Sequence, residues 1–269
     1  MDGSKIAQQT SVTDIMASGI GSSRMCDDLF LLLTLEWLDA ADLVAFDTAS
    51  VSNRCMKSTW LRVIRSIVDM RPMRGLLYTS FWIRWLIDRG VRTSSMRVVQ
   101  GSADRITDAT FEGICVRDLA SLVIGDVYGL TDVSVGLIAM GCVNLVSIEM
   151  KRCRGVTCGS LAAIGQYCRG LTSLDITECN GIEDEGVRAL ANGCILIRSI
   201  VIRHCSKLTD ASLSAIGESC RGLTSIDMHC NWKMTDVGIS YLVQGCIHLQ
   251  SINIGGSCSQ LTDASLAWL

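Results

Sequence analysis

Cysteine returns every 26 residues in this chain, at Cys142, Cys168, Cys194, Cys220 and Cys246. A second set, Cys153, Cys179 and Cys205, keeps the same interval. A fixed period of this length marks a repeat architecture, in which no single unit can bury its apolar face alone. It places residue n and residue n+26 in equivalent surroundings in neighbouring units. Cysteines that recur once per unit read as small buried apolar side chains rather than as bridges.

The aliphatic residues keep the same time. Leu171-x-x-Leu174-x-Ile176-x-x-Cys179 recurs as Leu145, Ile148, Met150 and Cys153, as Ile197, Ile200, Ile202 and Cys205, and as Leu223, Ile226, Met228 and Asn231. Leu119, Leu122, Ile124 and Val127 extend the pattern upstream. Leu249, Ile252, Ile254 and Ser257 extend it downstream, and a first copy begins near Met96 and Val98. Each copy carries a helical half. In Leu208–Gly217 the spacing predicts a short helix N-capped by Asp210, with Leu213, Ile216 and Cys220 on one face. Arg221-Gly222 ends it and turns the chain toward the next strand. Thr-Asp pairs recur at Thr107-Asp108, Thr131-Asp132, Thr235-Asp236 and Thr262-Asp263, whereas Thr157-Cys158 and Glu183-Asp184 stand in elsewhere.

Over residues 95–269 this pattern resembles the leucine-rich-repeat family, in particular its cysteine-containing subfamily. The resemblance implies an α/β solenoid with a curved parallel β-sheet inside and short helices outside. It also implies that the slot of Cys153, Cys179, Cys205 and Asn231 faces inward and satisfies loop backbone groups, which Asn does better than a thiol.

Residues between the apolar strand positions point to the opposite, concave face. One concave position is Ser in every copy, from Ser95 to Ser251, and a small residue there lets the inner sheet curve. The following positions vary. The candidate partner-binding set is Glu149, Lys151, Arg152, Asp175, Thr177, Arg203, His204, Asp227, His229 and Asn253. Acidic and basic groups alternate among them, which suits a polar protein ligand; the alternative is a solvated face whose charges compensate one another. Carboxylates on an open sheet lack a water-excluding pocket, and the serines have no partnered base, so no catalytic residue is expected. The cysteines form no Cys-x-x-Cys pair, and His204, His229 and His248 lack the usual ligand spacing along the chain, so neither a metal nor a cofactor is expected.

Residues 26–93 have a different texture. Asp27 to Leu43 reads as two helices separated by a short turn. With its Asp-Leu start, Leu-rich helix, Trp37-Leu38-Asp39 and Asp42-Leu43, the segment resembles the F-box, a helical module that docks on the adaptor subunit of SCF ubiquitin ligases. The resemblance implies adaptor contacts from Leu29, Leu32, Leu33, Trp37, Leu38 and Leu43. The alternative is a helical cap over the first core layer of the solenoid, and both can hold. Arg54 to Arg97 is rich in arginine, with Trp60, Trp82 and Trp85 interleaved. That texture can serve nucleic acid but equally describes the solvated face of a helix.

Composition closes off other classes. At 49% hydrophobic and 19% charged, the chain is not disordered throughout, and a net charge of −3 makes no general case for nucleic acid. Residues 1–25 lack a basic region followed by an apolar one, so they read as a disordered lead-in rather than a signal peptide. The apolar run Leu29–Leu35 is too short to span a bilayer. The expectation is a cytoplasmic or nuclear, non-secreted, non-enzymatic receptor: a substrate-recognition subunit of an SCF-type ligase, or else a stand-alone interaction scaffold. The repeats run over 94–269 and stop within a helical half without a polar cap, which reads as truncation or as capping by something else.

Overall fold

The computed structural model describes residues 94–99, 106–256 and 260–263. The six adaptor-contact residues from Leu29 to Leu43, and the basic stretch up to residue 93, lie outside these. Seven strands, β1 (Ser95–Val99), β2 (Ser121–Gly125), β3 (Ser147–Lys151), β4 (Ser173–Asp175), β5 (Ser199–Val201), β6 (Ser225–Asp227) and β7 (Ser251–Asn253), form one sheet in chain order. Every pairing is parallel, and the register sets Ser beside Ser from Ser95 through Ser251. Parallel neighbours need a crossover, which each repeat supplies with a helix. These are α1 (Asp132–Gly141), α2 (Cys158–Tyr167), α3 (Asp184–Gly193), α4 (Asp210–Ser219) and α5 (Asp236–Gly245). The first repeat has only a 3-10 turn, Asp108–Phe111. None of the described helices is long and apolar enough to cross a membrane.

The core is one continuous column. Leu122, Ile148, Leu174, Ile200 and Ile226 from the sheet are at most 2% exposed. Leu161, Ile164, Leu190, Leu213 and Ile216 meet them from the helices. Each large aliphatic side chain buried this way contributes about 1.5–3 kcal/mol, most of it offset by ordering of the chain.

The helix starts differ from the sequence expectation. Thr209, not Asp210, is the N-cap of α4: its hydroxyl accepts the Ala211 amide proton. Asp210 is the first helical residue and reaches across to the next repeat, where Thr235 N and Oγ1 donate to it at 2.7 and 2.6 Å. Asp108 does the same toward Thr131 and Ser134, and Asp132 toward Thr157 and Ser160. Asp184 joins Thr209 and Ser212, and Asp236 joins Thr262. Thr131-Asp132, Thr209-Asp210 and Thr235-Asp236 thus each serve two devices, a cap within their own helix and a clamp toward the next repeat. Burial opposes ionisation of Asp108, Asp132 and Asp184. The hydrogen bonds from the following Ser and Thr outweigh it and hold these carboxyls below their usual range.

One junction lacks the clamp. Between α2 and α3 the acceptor slot is Cys158, the threonine slot is Glu183 and the serine slot is Gly186. Glu183 makes no side-chain cap bond and pairs instead with Lys207 at 2.6 Å. The helices are nonetheless closely packed there. A Cβ on Gly193 would fall 1.9 Å from the Gly165 carbonyl oxygen, so α2 and α3 meet backbone to backbone. Gly245 and Gly217 repeat the arrangement between α4 and α5, while the matching α3–α4 positions carry Ala191 and Ser219. Helix packing therefore alternates with a period twice that of the strands.

The cysteines lie where the period placed them. Every described cysteine is free, and both 26-residue sets are buried. The helix-end set forms a ladder in which each thiol donates to the carbonyl one repeat earlier, as Cys194 does to Cys168 O at 3.3 Å and Cys246 to Cys220 O at 3.4 Å. In the strand-end set, Cys179 donates to Met150 O at 3.2 Å and Cys205 to Ile176 O at 3.3 Å. Asn231 occupies the same slot. It donates to Ile202 O at 2.7 Å and accepts from Cys205 N at 2.8 Å. Burial pushes the Cys179 and Cys205 thiols up to about 12, so they stay protonated.

Candidate partner-binding face

Alternation along each strand separates core from face. In β2 and β3 the half-exposed residues are Ser121, Val123 and Gly125, then Ser147, Glu149 and Lys151, with buried residues between them. Register then stacks the face into rows running across the sheet. One row runs Val123, Glu149, Asp175, Val201, Asp227, Asn253. These positions thus lie side by side across the sheet.

Their charges are mutually engaged. Lys151 Nζ bridges Glu149 at 2.7 Å and Asp175 at 3.2 Å, and these partners raise its pKa, the Glu149 hydrogen bond most. Arg203 donates twice to Asp227 Oδ2, at 2.8 and 2.5 Å, and Asn253 Nδ2 adds a third bond at 3.0 Å. Burial works against the Asp227 carboxylate, but Arg203, the His229 amide and Asn253 together keep its pKa low. The strand-end carboxylates also close the turns: Asp175 accepts from Thr177 N and Oγ1 at 3.0 and 2.6 Å, and Asp227 accepts from His229 N at 3.2 Å. Asp175 and Asp227 are thus part scaffold and part surface, which spacing alone did not reveal.

The rim beyond the strands has its own order. Asp126, Arg152, Glu178, His204 and Cys230 all adopt left-handed φ, between 54° and 60°, and Gly256 follows at 64°. Such a conformation strains a side-chain-bearing residue by about 1 kcal/mol or more. A backbone ladder holds it: Arg152 N donates to Thr177 O, Glu178 N to Arg203 O, His204 N to His229 O and Cys230 N to Gly255 O, at 2.9–3.1 Å. Arg152 bridges Asp126 and Glu178 at 3.4 and 3.2 Å. Further along, the row changes character, and potential ligand atoms of His204, His229 and Cys230 all come within 4.8 Å of one another. Spacing along the chain concealed this cluster, because one turn of the solenoid sets residue 204 beside 230. The 26-residue ruler, applied to ligand types as well as to leucines, would have found it.

A shallow groove lies over the early strands, bordered by Arg97, Val123, Glu149, Lys151 and Thr177. Within it Lys151 pairs with Glu149, and Arg152 pairs with Asp126 and Glu178. A face of this kind offers shape and charge to a partner rather than an enclosed reaction chamber.

Sheet, helices and face together define a leucine-rich-repeat solenoid. The leucine-rich-repeat family model matches residues 167–191, which span the end of α2, all of β4 and most of α3. Among solved structures, a chain of the Rad7 and Elc1 complex from yeast aligns over 97% of this chain and 84% of its own, at 14% identity and a TM-score of 0.53. The leucine-rich repeat-containing protein LegL7 from Legionella pneumophila aligns over 65% of this chain and 60% of its own, at 11% identity and a TM-score of 0.41. None of the curated proteins matches the chain by sequence.

Proposed function

We propose that this chain is a protein-binding receptor that recognises a partner along the concave face and serves as the substrate-recognition subunit of an SCF-type ubiquitin ligase. The observation that carries the binding half is the contrast within each repeat. Core, cap and ladder positions repeat, whereas one face row interrupts the acids Glu149, Asp175 and Asp227 with Val201 and Asn253, and the row beside it places Lys151 and Arg203 among uncharged residues. Nothing in the folding of the solenoid requires that variation, and variation on a rigid curved sheet is what selective recognition uses. The yeast Rad7 and Elc1 complex is a precedent for a chain of this fold assembled with a second protein.

The ligase half rests on the F-box-like segment, with Leu29, Leu32, Leu33, Trp37, Leu38 and Leu43 as the apolar contacts to the adaptor. On this reading the chain performs no chemistry. It needs no cofactor, acts in the cytoplasm or nucleus, and supplies proximity between a bound substrate and enzymes elsewhere in the complex. Capture of the purified SCF adaptor by the full-length chain tests it. Stoichiometric capture at micromolar protein, lost in Leu33→Asp, is expected. Absence of capture overturns the ligase half and leaves an interaction scaffold.

A further inference from the structure

The rim row departs from ion pairing at one place, and the departure has a definite chemistry. Upstream, Arg152 is neutralised by Asp126 and Glu178. At the next two junctions the row supplies His204 and Cys230, and His229 comes in from the position preceding Cys230. The imidazoles meet edge to face, with centroids 5.8 Å apart and planes at 67°. We propose that His204, His229 and Cys230 form a zinc site with two imidazole ligands, one thiolate and an open fourth position.

Three features make this more than a chance meeting of side chains. The ligands sit on a fixed backbone, because His204 N donates to His229 O at 3.0 Å and Cys230 N to Gly255 O at 3.1 Å. A further bond from His229 N to Asp227 secures the middle loop. The donor set is one that zinc favours, and tetrahedral bonds of about 2.0–2.3 Å set ligand atoms roughly 3.3–3.6 Å apart. From separations within 4.8 Å, modest side-chain rotation closes that gap. The neighbouring loop also leaves room. A Cβ on Gly256 would lie 2.6 Å from Cys230 Sγ and 2.8 Å from His229 Nε2, so a side chain there would push the ligands aside. Cys230 differs from the two ladder sets in being only half-buried, which leaves its sulfur accessible to an ion.

Binding is balanced by one proton. Cys230 Sγ forms its bond to zinc as the S–H proton passes to solvent, while both imidazoles bind in their neutral form through a nitrogen lone pair. Affinity therefore rises with pH. The site bears no relation to adaptor docking and stands or falls separately from the receptor reading.

The test is equilibrium titration of the full-length reduced chain with zinc, and with cobalt as a spectroscopic substitute. One zinc per chain is expected at micromolar metal, together with a thiolate-to-cobalt charge-transfer band. Cys230→Ser should remove the band. Losing even a supporting group around a metal weakens binding about 10- to 100-fold, so His204→Ala and His229→Ala should each weaken zinc at least about ten-fold. Gly256→Ala keeps all three ligand residues but displaces their side chains and should weaken binding too, and Asp126 and Arg152 show that its backbone slot accepts side chains. Far-ultraviolet circular dichroism verifies that each variant is folded. If a folded His204→Ala/His229→Ala/Cys230→Ser variant binds zinc as tightly and in the same amount as the parent chain, the proposal is wrong. Absence of the cobalt–thiolate band in the parent chain sinks it equally.

Discussion

The two ends of each strand–loop unit obey different rules. Where the strand turns inward, the slot of Cys153, Cys179, Cys205 and Asn231 is buried, and Cys179, Cys205 and Asn231 each donate to the equivalent backbone carbonyl, of Met150, Ile176 and Ile202. A few residues away on the open face, Glu149, Asp175, Val201 and Asp227 share a register position but differ in charge and size, although Asp175 and Asp227 both close their turns. The inner slot answers to unsatisfied backbone groups, which are identical in every repeat. The outer row answers to solvent and to a partner, which need not be uniform. Repetition here measures how strongly folding constrains a position.

Substitutions can break that comparison. The largest effect is expected at Asn231→Ala, which leaves Cys205 N and Ile202 O without partners inside the core and should cost about 3 kcal/mol. Urea denaturation reads it directly, and Asn231→Cys should recover more than half, because the thiol makes equivalent bonds in the other repeats. Next comes the inter-helix clamp. Asp184→Ala should cost about 1–2 kcal/mol, since its bonds to Thr209 and Ser212 are only partly shielded from water.

Acid probes the same clamps without mutation. The depressed carboxyls of Asp108, Asp132 and Asp184 take up protons more readily in the unfolded chain, where the ordinary value is 3.8. Their contribution is complete above that value and is lost as pH falls below it through the folded-state values. The urea midpoint should drop as pH falls from roughly pH 5 to pH 2, and Asp132→Asn with Asp184→Asn should flatten the drop.

A smaller gain is expected from repairing the exceptional junction. Cys158→Asp with Glu183→Thr would install the acceptor and cap that Asp210 and Thr235 already form above Gly238, and should add about 1 kcal/mol. A loss would mean that this junction, unlike the α4–α5 junction where the Gly217–Gly245 contact and the clamp coexist, has no room for the added groups. The smallest effect should come from the face: Arg203→Ala removes a solvent-exposed arginine from an ion pair whose carboxylate keeps its bonds to Asn253 and the His229 amide, and it should move the unfolding midpoint least. A shift as large as that of Asp184→Ala would show the face to be structural and undo the comparison.

Much of this was visible in one dimension. The strand pattern, the face row and the free state of the cysteines follow from a single period, because equivalent positions must share an environment, and the family resemblance implied the inward Cys/Asn slot. The helix starts were misread by one residue. Asp is a good N-cap in isolation, and only the neighbouring repeat reveals that Thr209 caps while Asp210 clamps. Similarly, Lys151 bridging Glu149 and Asp175 depends on the register between strands, not on order along the chain.

Sequence alone determined which residues lie inside, since burial of aliphatic side chains at a fixed interval leaves one way to coil the chain. Tertiary structure decided which polar residues meet. Hydrogen bonds, ion pairs and metal ligation act over a few ångströms, and in a solenoid those distances separate residues one full turn apart. That is how His204, His229 and Cys230 came to share a corner that no local motif announces.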